Sequence, residues 1–273
     1  MPDRERALLA ERDYMTYATA FGRAPGVTII RSGEFVARRG DPAHEYLSLV
    51  LGTWTAEHAA DALIGRVIDA VGGPGRPFTW TVWPSNAPAD LRARLVARGF
   101  RDLGEGTLMW LELEDAKLPE APPDGLTIAP VQDAATLAAA GRALNPGDGF
   151  SEEARRVFEA AYEALVLGPD APMTYFAGWL DGRIVASSAL FTGTGLAGIY
   201  AVGTVADQRG RGVGGAVTAE ALREGRRRGL RSAALLSTEL GFPVYRRLGF
   251  EVVGTVSFLG SPREDEEGVS PAS

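Results

Sequence analysis

Cysteine is absent from this chain of 273 residues. That excludes disulfides, thiolate catalysis and cysteine-based metal sites. Histidine occurs only twice, as His44 and His58, which is too few for a histidine-rich centre, so no metal is expected. Lysine occurs once, as Lys117. A nucleotide P-loop with its Gly-Lys-Ser/Thr signature is therefore excluded. No apolar run approaches the ~20 residues that span a bilayer. The opening stretch MPDRERALLAERDYM is charged and lacks the apolar centre of a secretory signal. A cytoplasmic protein with no membrane partner is expected. The net charge of -7 argues against a nucleic-acid partner.

What is present is ordinary for a globular protein, with 45% apolar and 23% charged residues. The length allows one large domain or two small ones. Residues 115–125 read DAKLPEAPPDG, whose prolines and Asp-Gly pair mark a linker. Two domains are expected, 1–114 and 126–260, with a disordered tail over 261–273. The second reads as strands over 126–130, 173–180, 183–191, 196–205, 231–237 and 251–259. Helices are expected after Asp133 and Ser151 and over 213–228 and 242–248. Arg226, Arg227 and Arg228 read as a solvated helix end. The first domain shows strands over 27–31, 46–51, 78–82 and 107–113, with helices over 55–71 and 89–97. Each half ends a short helix in Gly-Phe (Gly99-Phe100 and Gly249-Phe250), meets a second glycine four residues after the Phe (Gly104 and Gly254), and enters an apolar strand. A divergent internal duplication accounts for this.

Residues 207–215, DQRGRGVGG, lie between an apolar strand and a helical pattern. Gly210, Gly212 and Gly215 formally satisfy the dinucleotide pattern G-x-G-x-x-G, and Glu239 stands where a ribose ligand would. That pattern belongs at the first strand of a parallel sheet, however, and here only two strands and a short helix follow. The same stretch satisfies R-x-x-G-x-G through Arg209, Gly212 and Gly214. Successive N–H groups at a helix N-terminus bind a pyrophosphate, and the glycines permit close approach.

With the strand AGIYAVGTV before the loop and the segment LLSTELGFPVYRRLGFEVVG after it, the chain resembles the GCN5-related N-acetyltransferase (GNAT) family over residues 126–259. The resemblance implies an α/β (α+β) fold of two GNAT-like domains, each a mixed, mostly antiparallel sheet flanked by helices. It implies acetyl-CoA as co-substrate, held by Val202, Gly203 and Thr204 on a splayed strand and by Arg209, Gly210, Arg211, Gly212, Val213, Gly214 and Gly215 in the loop. Thr238 stands where the family usually has a cofactor-contacting Asn. Tyr245 matches the tyrosine that often protonates the departing thiolate.

The strand before the loop has no carboxylate, so Glu239 and water are the candidate general bases. The acceptor is a small-molecule or peptide amine, beside the 145–150 turn, and the protein is a monomer or homodimer. The first half has no R-x-x-G-x-G, and Leu95 occupies the position of Tyr245. It is expected to be a degenerate, supporting copy. The alternatives are a non-catalytic acyl-CoA sensor and, more remotely, a dinucleotide oxidoreductase.

Overall fold

The computed structural model describes residues 1–144 and 149–262. Most of the expected turn at 145–150 and of the tail at 261–273 lies outside the described residues. The first half of the chain forms α1 (Asp3–Ala20), β1 (Val27–Arg31), β2 (Phe35–Gly40), β3 (Leu49–Thr53), α2 (Ala60–Val71), β4 (Thr79–Val82), α3 (Leu91–Val96) and β5 (Arg101–Glu112). The second forms β6 (Thr127–Pro130), α4 (Ala134–Leu144), α5 (Glu152–Val166), β7 (Met173–Leu180), β8 (Arg183–Phe191), β9 (Ala197–Thr204), α6 (Val213–Arg227), β10 (Ser232–Ser237), α7 (Phe242–Leu248) and β11 (Glu251–Gly260).

Local chemistry explains many of these boundaries. Asp133 accepts the Thr136 N–H at 2.8 Å and starts α4; Ser151 accepts the Ala154 N–H at 3.1 Å and starts α5. Asp181 and Gly182, with φ of 50° and 75°, make the two-residue turn from β7 into β8. Both Gly-Phe pairs are helix C-caps. Gly99 and Gly249 take φ of 80° and 102°, and the next N–H reaches back to Leu95 O at 3.1 Å and to Tyr245 O at 3.0 Å.

Two elements had no expectation. Helix α1 buries Glu11 and Asp13 instead of an apolar stripe. Strand β2 buries Arg38, whose guanidinium donates to Leu47 O at 3.1 Å and to Tyr46 O. A charged residue facing inward breaks the alternation that reveals a strand.

The chain divides into two compact units. The first comprises 1–23, 107–144 and 159–254, together with 149–150. Its strands run in the order β6-β7-β8-β9-β10-β5, antiparallel except for the parallel pair β9/β10. Its core is built on Met109, Phe176, Ile199, Leu222, Leu235 and Phe250. The second comprises 24–106, 151–158 and residues from 255 onward. Its order is β1-β2-β3-β4-β11, again antiparallel except for one parallel pair, β3/β4. Leu63, Phe78, Trp80, Leu95, Phe100 and Leu259 build its core.

Both units follow one plan: antiparallel strands, a helical crossover to a parallel neighbour, then a closing antiparallel strand. In the first unit the closing strand is β5, from the first half of the sequence. In the second it is β11, from the second half. The two halves thus exchange their last strands.

Candidate active site

The site begins with a defect in β9. Its neighbour β8 pairs Ser187 with Gly203 and Ala189 with Tyr200, so Ser188 alone opposes both Ala201 and Val202. This is a bulge, and Ala201 carries it with φ of 48°, a left-handed conformation that is costly for a residue with a Cβ. The Ser187 hydroxyl braces it, donating to Ala201 O at 2.6 Å. A bulge bends its strand. The parallel pairing of β9 with β10 covers only Ala197, Gly198 and Ile199. Beyond it the two strands part, and the β10-facing edge of Val202, Gly203 and Thr204 has no strand partner among the described residues.

The loop after β9 turns on two left-handed glycines, Gly210 (φ 74°) and Gly212 (φ 81°). Gly212 is the N-cap of α6 and provides no side-chain cap. The first-turn N–H groups of Val213, Gly214 and Gly215 therefore have no intrahelical acceptor, and they carry the positive end of the helix dipole. A Cβ on Gly214 would lie 2.9 Å from Thr204 Oγ1, so only glycine lets the helix end sit against β9 in this way. Arg209 donates to Thr204 O at 3.1 Å. Arg211 is turned away onto Gln208 Oε1 at 3.0 Å.

A cavity of about 660 Å³ lies in the fork. Val202, Gly203 and Thr204 line it, with Arg209, Gly210 and Gly212–Gly215 from the loop and Thr238 and Tyr245 opposite. Arg211 and Glu239, the other two expected site residues, do not. Glu239 is exposed in the turn before α7. Among the described residues no Asp or Glu lines the cavity, whereas Lys117, Arg209 and Arg247 do. In a chain of net charge -7, a cavity whose charged lining residues, among those described, are all cations fits a polyanion.

Tyr245 is buried on α7 and stands edge-on to Phe250, with ring centroids 6.0 Å apart. Gly241 makes room for it, since a Cβ there would come within 2.7 Å of the ring. Burial pushes its phenol up to about 12. Thr238 caps α7: its carbonyl accepts the N–H groups of Gly241 at 3.1 Å and Phe242 at 3.0 Å.

Sequence reasoning missed the wall made by Lys117, Leu118 and Pro119. This stretch reads as a free linker, yet it is tied down. The Lys117 N–H bonds to Leu248 O at 3.0 Å. Arg226 donates to Leu113 O at 2.7 Å, and Arg223 to Pro119 O. Arg226, Arg227 and Arg228 are all exposed at the end of α6, as expected, but Arg226 also reaches this segment, whereas Arg227 and Arg228 pair with Glu220 and Glu224. A second missed feature is a buried carboxylate. Asp13 accepts hydroxyl hydrogen bonds from Tyr200 at 2.6 Å and from Thr194. Its pKa is pushed up to about 6 by burial. Tyr17 stacks on Tyr200 with centroids 3.8 Å apart. Tyr200 immediately precedes the bulge, and its ring covers Gly198, pointing back from the fork.

In the second unit β3 and β4 also pair in parallel only briefly, at Leu49 and Val50. There the chain closes its own gap. Ala87 N–H bonds to Thr53 O at 3.1 Å, Thr55 N–H to Ala87 O at 3.2 Å, and Trp83 Nε1–H to Leu51 O at 2.8 Å. Leu95 is fully buried in that unit's core.

A family model described as an acetyltransferase (GNAT) domain matches residues 177–253. Among solved structures, a GCN5-related N-acetyltransferase from Kribbella flavida superposes with a TM-score of 0.71 at 23% identity, covering 94% of this chain and 97% of that one. One from Sphaerobacter thermophilus gives 0.59 at 18%, covering 95% and 91%. A tandem GNAT protein from the clavulanic acid biosynthesis pathway gives 0.57 at 17%, covering 87% and 84%. No curated protein matches the chain. At these identities the likeness is one of fold: a mixed α/β sheet flanked by helices, as in the GNAT structures.

Proposed function

We propose that the protein is an acyl-CoA-dependent N-acyltransferase that moves an acetyl group from acetyl-CoA to a primary amine. One observation carries this reading. The forked strand, the uncapped helix N-terminus and Tyr245 all open onto a single cavity that no carboxylate among the described residues lines. Acetyl-CoA supplies the activated thioester. The α6 N-terminus, with Arg209, holds the pyrophosphate through N–H groups and charge. The free edge of Val202–Gly203–Thr204 hydrogen-bonds the extended pantetheine arm, as an added strand would, and an N–H on this edge polarises the acyl carbonyl. Tyr245 stays protonated at any working pH, because burial holds its phenol at about 12. Its hydroxyl proton is available to the departing sulfur. Glu239 has no place in the cavity lining, so water takes the amine proton.

The first half is a degenerate copy with a structural task. Residues 83–88 close its gap against any pantetheine-like arm, Leu95 replaces the tyrosine, and its last strand completes the active unit.

A second reading has its own support. With no carboxylate base among the described residues of the cavity and a phenol made less acidic by burial, the same site fits an acyl-CoA sensor that performs no transfer. Release of free CoA from acetyl-CoA in the presence of a panel of amines decides between the two. Turnover lost in Tyr245→Phe supports transfer. Binding of acetyl-CoA without turnover of any amine leaves the sensor, and a thermal shift with NAD or NADP but not with acetyl-CoA overturns both.

A further inference from the structure

Lys117 is the only lysine in a chain that has 28 Lys and Arg residues in all. It lies on the segment that follows β5, so it comes from the half of the sequence that does not carry the glycine loop. The structure nonetheless places it on the cavity wall, together with Arg247 of α7. The two are neighbours, because the Lys117 N–H is bonded at 3.0 Å to the carbonyl of Leu248, the residue after Arg247. Neither side chain takes part in an ion pair or hydrogen bond among the described residues. The other cations of the region are engaged. Arg209 bonds to Thr204 O, Arg211 to Gln208, Arg223 to Glu220 and Arg246 to Phe250 O. Two unpaired cations lining one cavity make its wall attractive to an anion.

The segment is also held in place. Arg223 and Arg226 of α6 grip carbonyls of residues 113, 114, 116 and 119. The helix whose N-terminus opens onto the cavity thus also fixes the wall that carries Lys117.

We infer that Lys117 and Arg247 form a phosphate corner that selects a 3′-phosphorylated nucleotide, so that this cavity distinguishes coenzyme A from its 3′-dephospho form. This rests on the acyl-CoA reading above. Coenzyme A carries three phosphoryl groups. Two are the pyrophosphate, met by the α6 N-terminus and Arg209; the third is a ribose phosphomonoester, which needs cations of its own. The exchange of last strands then has a functional consequence: by completing the active unit with β5, the first half delivers a specificity residue to it.

The test is calorimetric binding of coenzyme A and of 3′-dephospho-coenzyme A to the full chain as wild type, Lys117→Met and Lys117→Arg. The wild type is expected to prefer coenzyme A by about tenfold, the scale of a charge-assisted contact at an exposed cavity mouth. Raising the salt concentration should narrow that preference. Lys117→Met should lose most of it by weakening coenzyme A alone, and Lys117→Arg should keep it. Equal binding of both ligands by the wild type, or an undiminished preference in Lys117→Met, overturns the phosphate corner and leaves the acyltransferase reading standing. Failure of both ligands to bind overturns both.

Discussion

Replacing Asp13 by Asn should make the protein more stable at pH 8, although it alters a fully buried, hydrogen-bonded residue. Asp13 is 0% exposed, and its partners Tyr200 and Thr194 are neutral hydroxyls. Two neutral donors do not offset the loss of water around a carboxylate, and the pKa rises from 3.8 to about 6. The folded state therefore binds more protons than the unfolded chain between those values. This contribution to stability is present at acidic pH, is lost as pH rises through about 6, and stays lost above it. A shift of about two units corresponds to roughly 3 kcal/mol. Asn is isosteric and uncharged: its carbonyl can accept from one hydroxyl while its amide donates to the other. At pH 8 the variant should gain up to about 3 kcal/mol, which is roughly 5–10 °C in Tm for a chain of this size. Near pH 4 the advantage should vanish. Asp13→Ala should be destabilised at both pH values, because it strands the buried Tyr200 hydroxyl at about 1–3 kcal/mol and removes the partner of the half-buried Thr194 hydroxyl. Thermal unfolding followed by circular dichroism at pH 4 and pH 8 reads all of this. An Asp13→Asn variant that melts well below wild type at pH 8 would refute the reasoning, since it would mean that the carboxylate is stabilised as an anion.

Tyr245→Phe should lower kcat by about 100-fold or more with little change in KM for acetyl-CoA, as expected on removing a general acid; a loss under threefold in steady-state kinetics would reduce Tyr245 to a core residue. Gly212→Glu puts a side chain at φ 81° and an anion at the pyrophosphate position, so the acetyl-CoA-induced thermal shift should disappear while the circular dichroism spectrum is kept. A shift of wild-type size would mean that the loop is not the phosphate site. The fragment 126–273 lacks β5, which covers β10 from Ser232 to Ser237, and it lacks α1 with Asp13 and Tyr17. It should show no cooperative unfolding transition, and a sharp one would argue against the strand exchange as a folding requirement.

Features that depend on neighbours in sequence were readable in advance. The hairpin from β7 to β8 follows from Asp181-Gly182 between two apolar runs, and both Gly-Phe caps follow from the need for a left-handed residue at the end of a helix. The fork was implied by a family resemblance, but its cause, a bulge at Ala201, has no mark in AGIYAVGTV. Alanine is not a residue that announces positive φ. Strand exchange was out of reach for a related reason. β5 and β11 carry the same local pattern after the same Gly-Phe cap, so nothing local states which sheet each will close. Asp13 and Tyr200 are 187 positions apart, and only tertiary packing brings a carboxylate to the strand that has none of its own.

The 115–125 segment makes the point from the other side. Proline lacks an N–H and takes no donor's part in a sheet ladder, so a stretch with three prolines reads as linker. Its carbonyls are the corollary. Outside any ladder they remain open acceptors, and buried or half-buried acceptors find donors. Here Arg223 supplies a donor to Pro119 O and Arg226 a longer one to Ala116 O, both from α6. The composition that hides the segment from a search for secondary structure is thus what makes it a substrate for arginine anchoring. Once it is anchored, the position of Lys117 is no longer that of a residue in a tether but that of a fixed charge on a cavity wall.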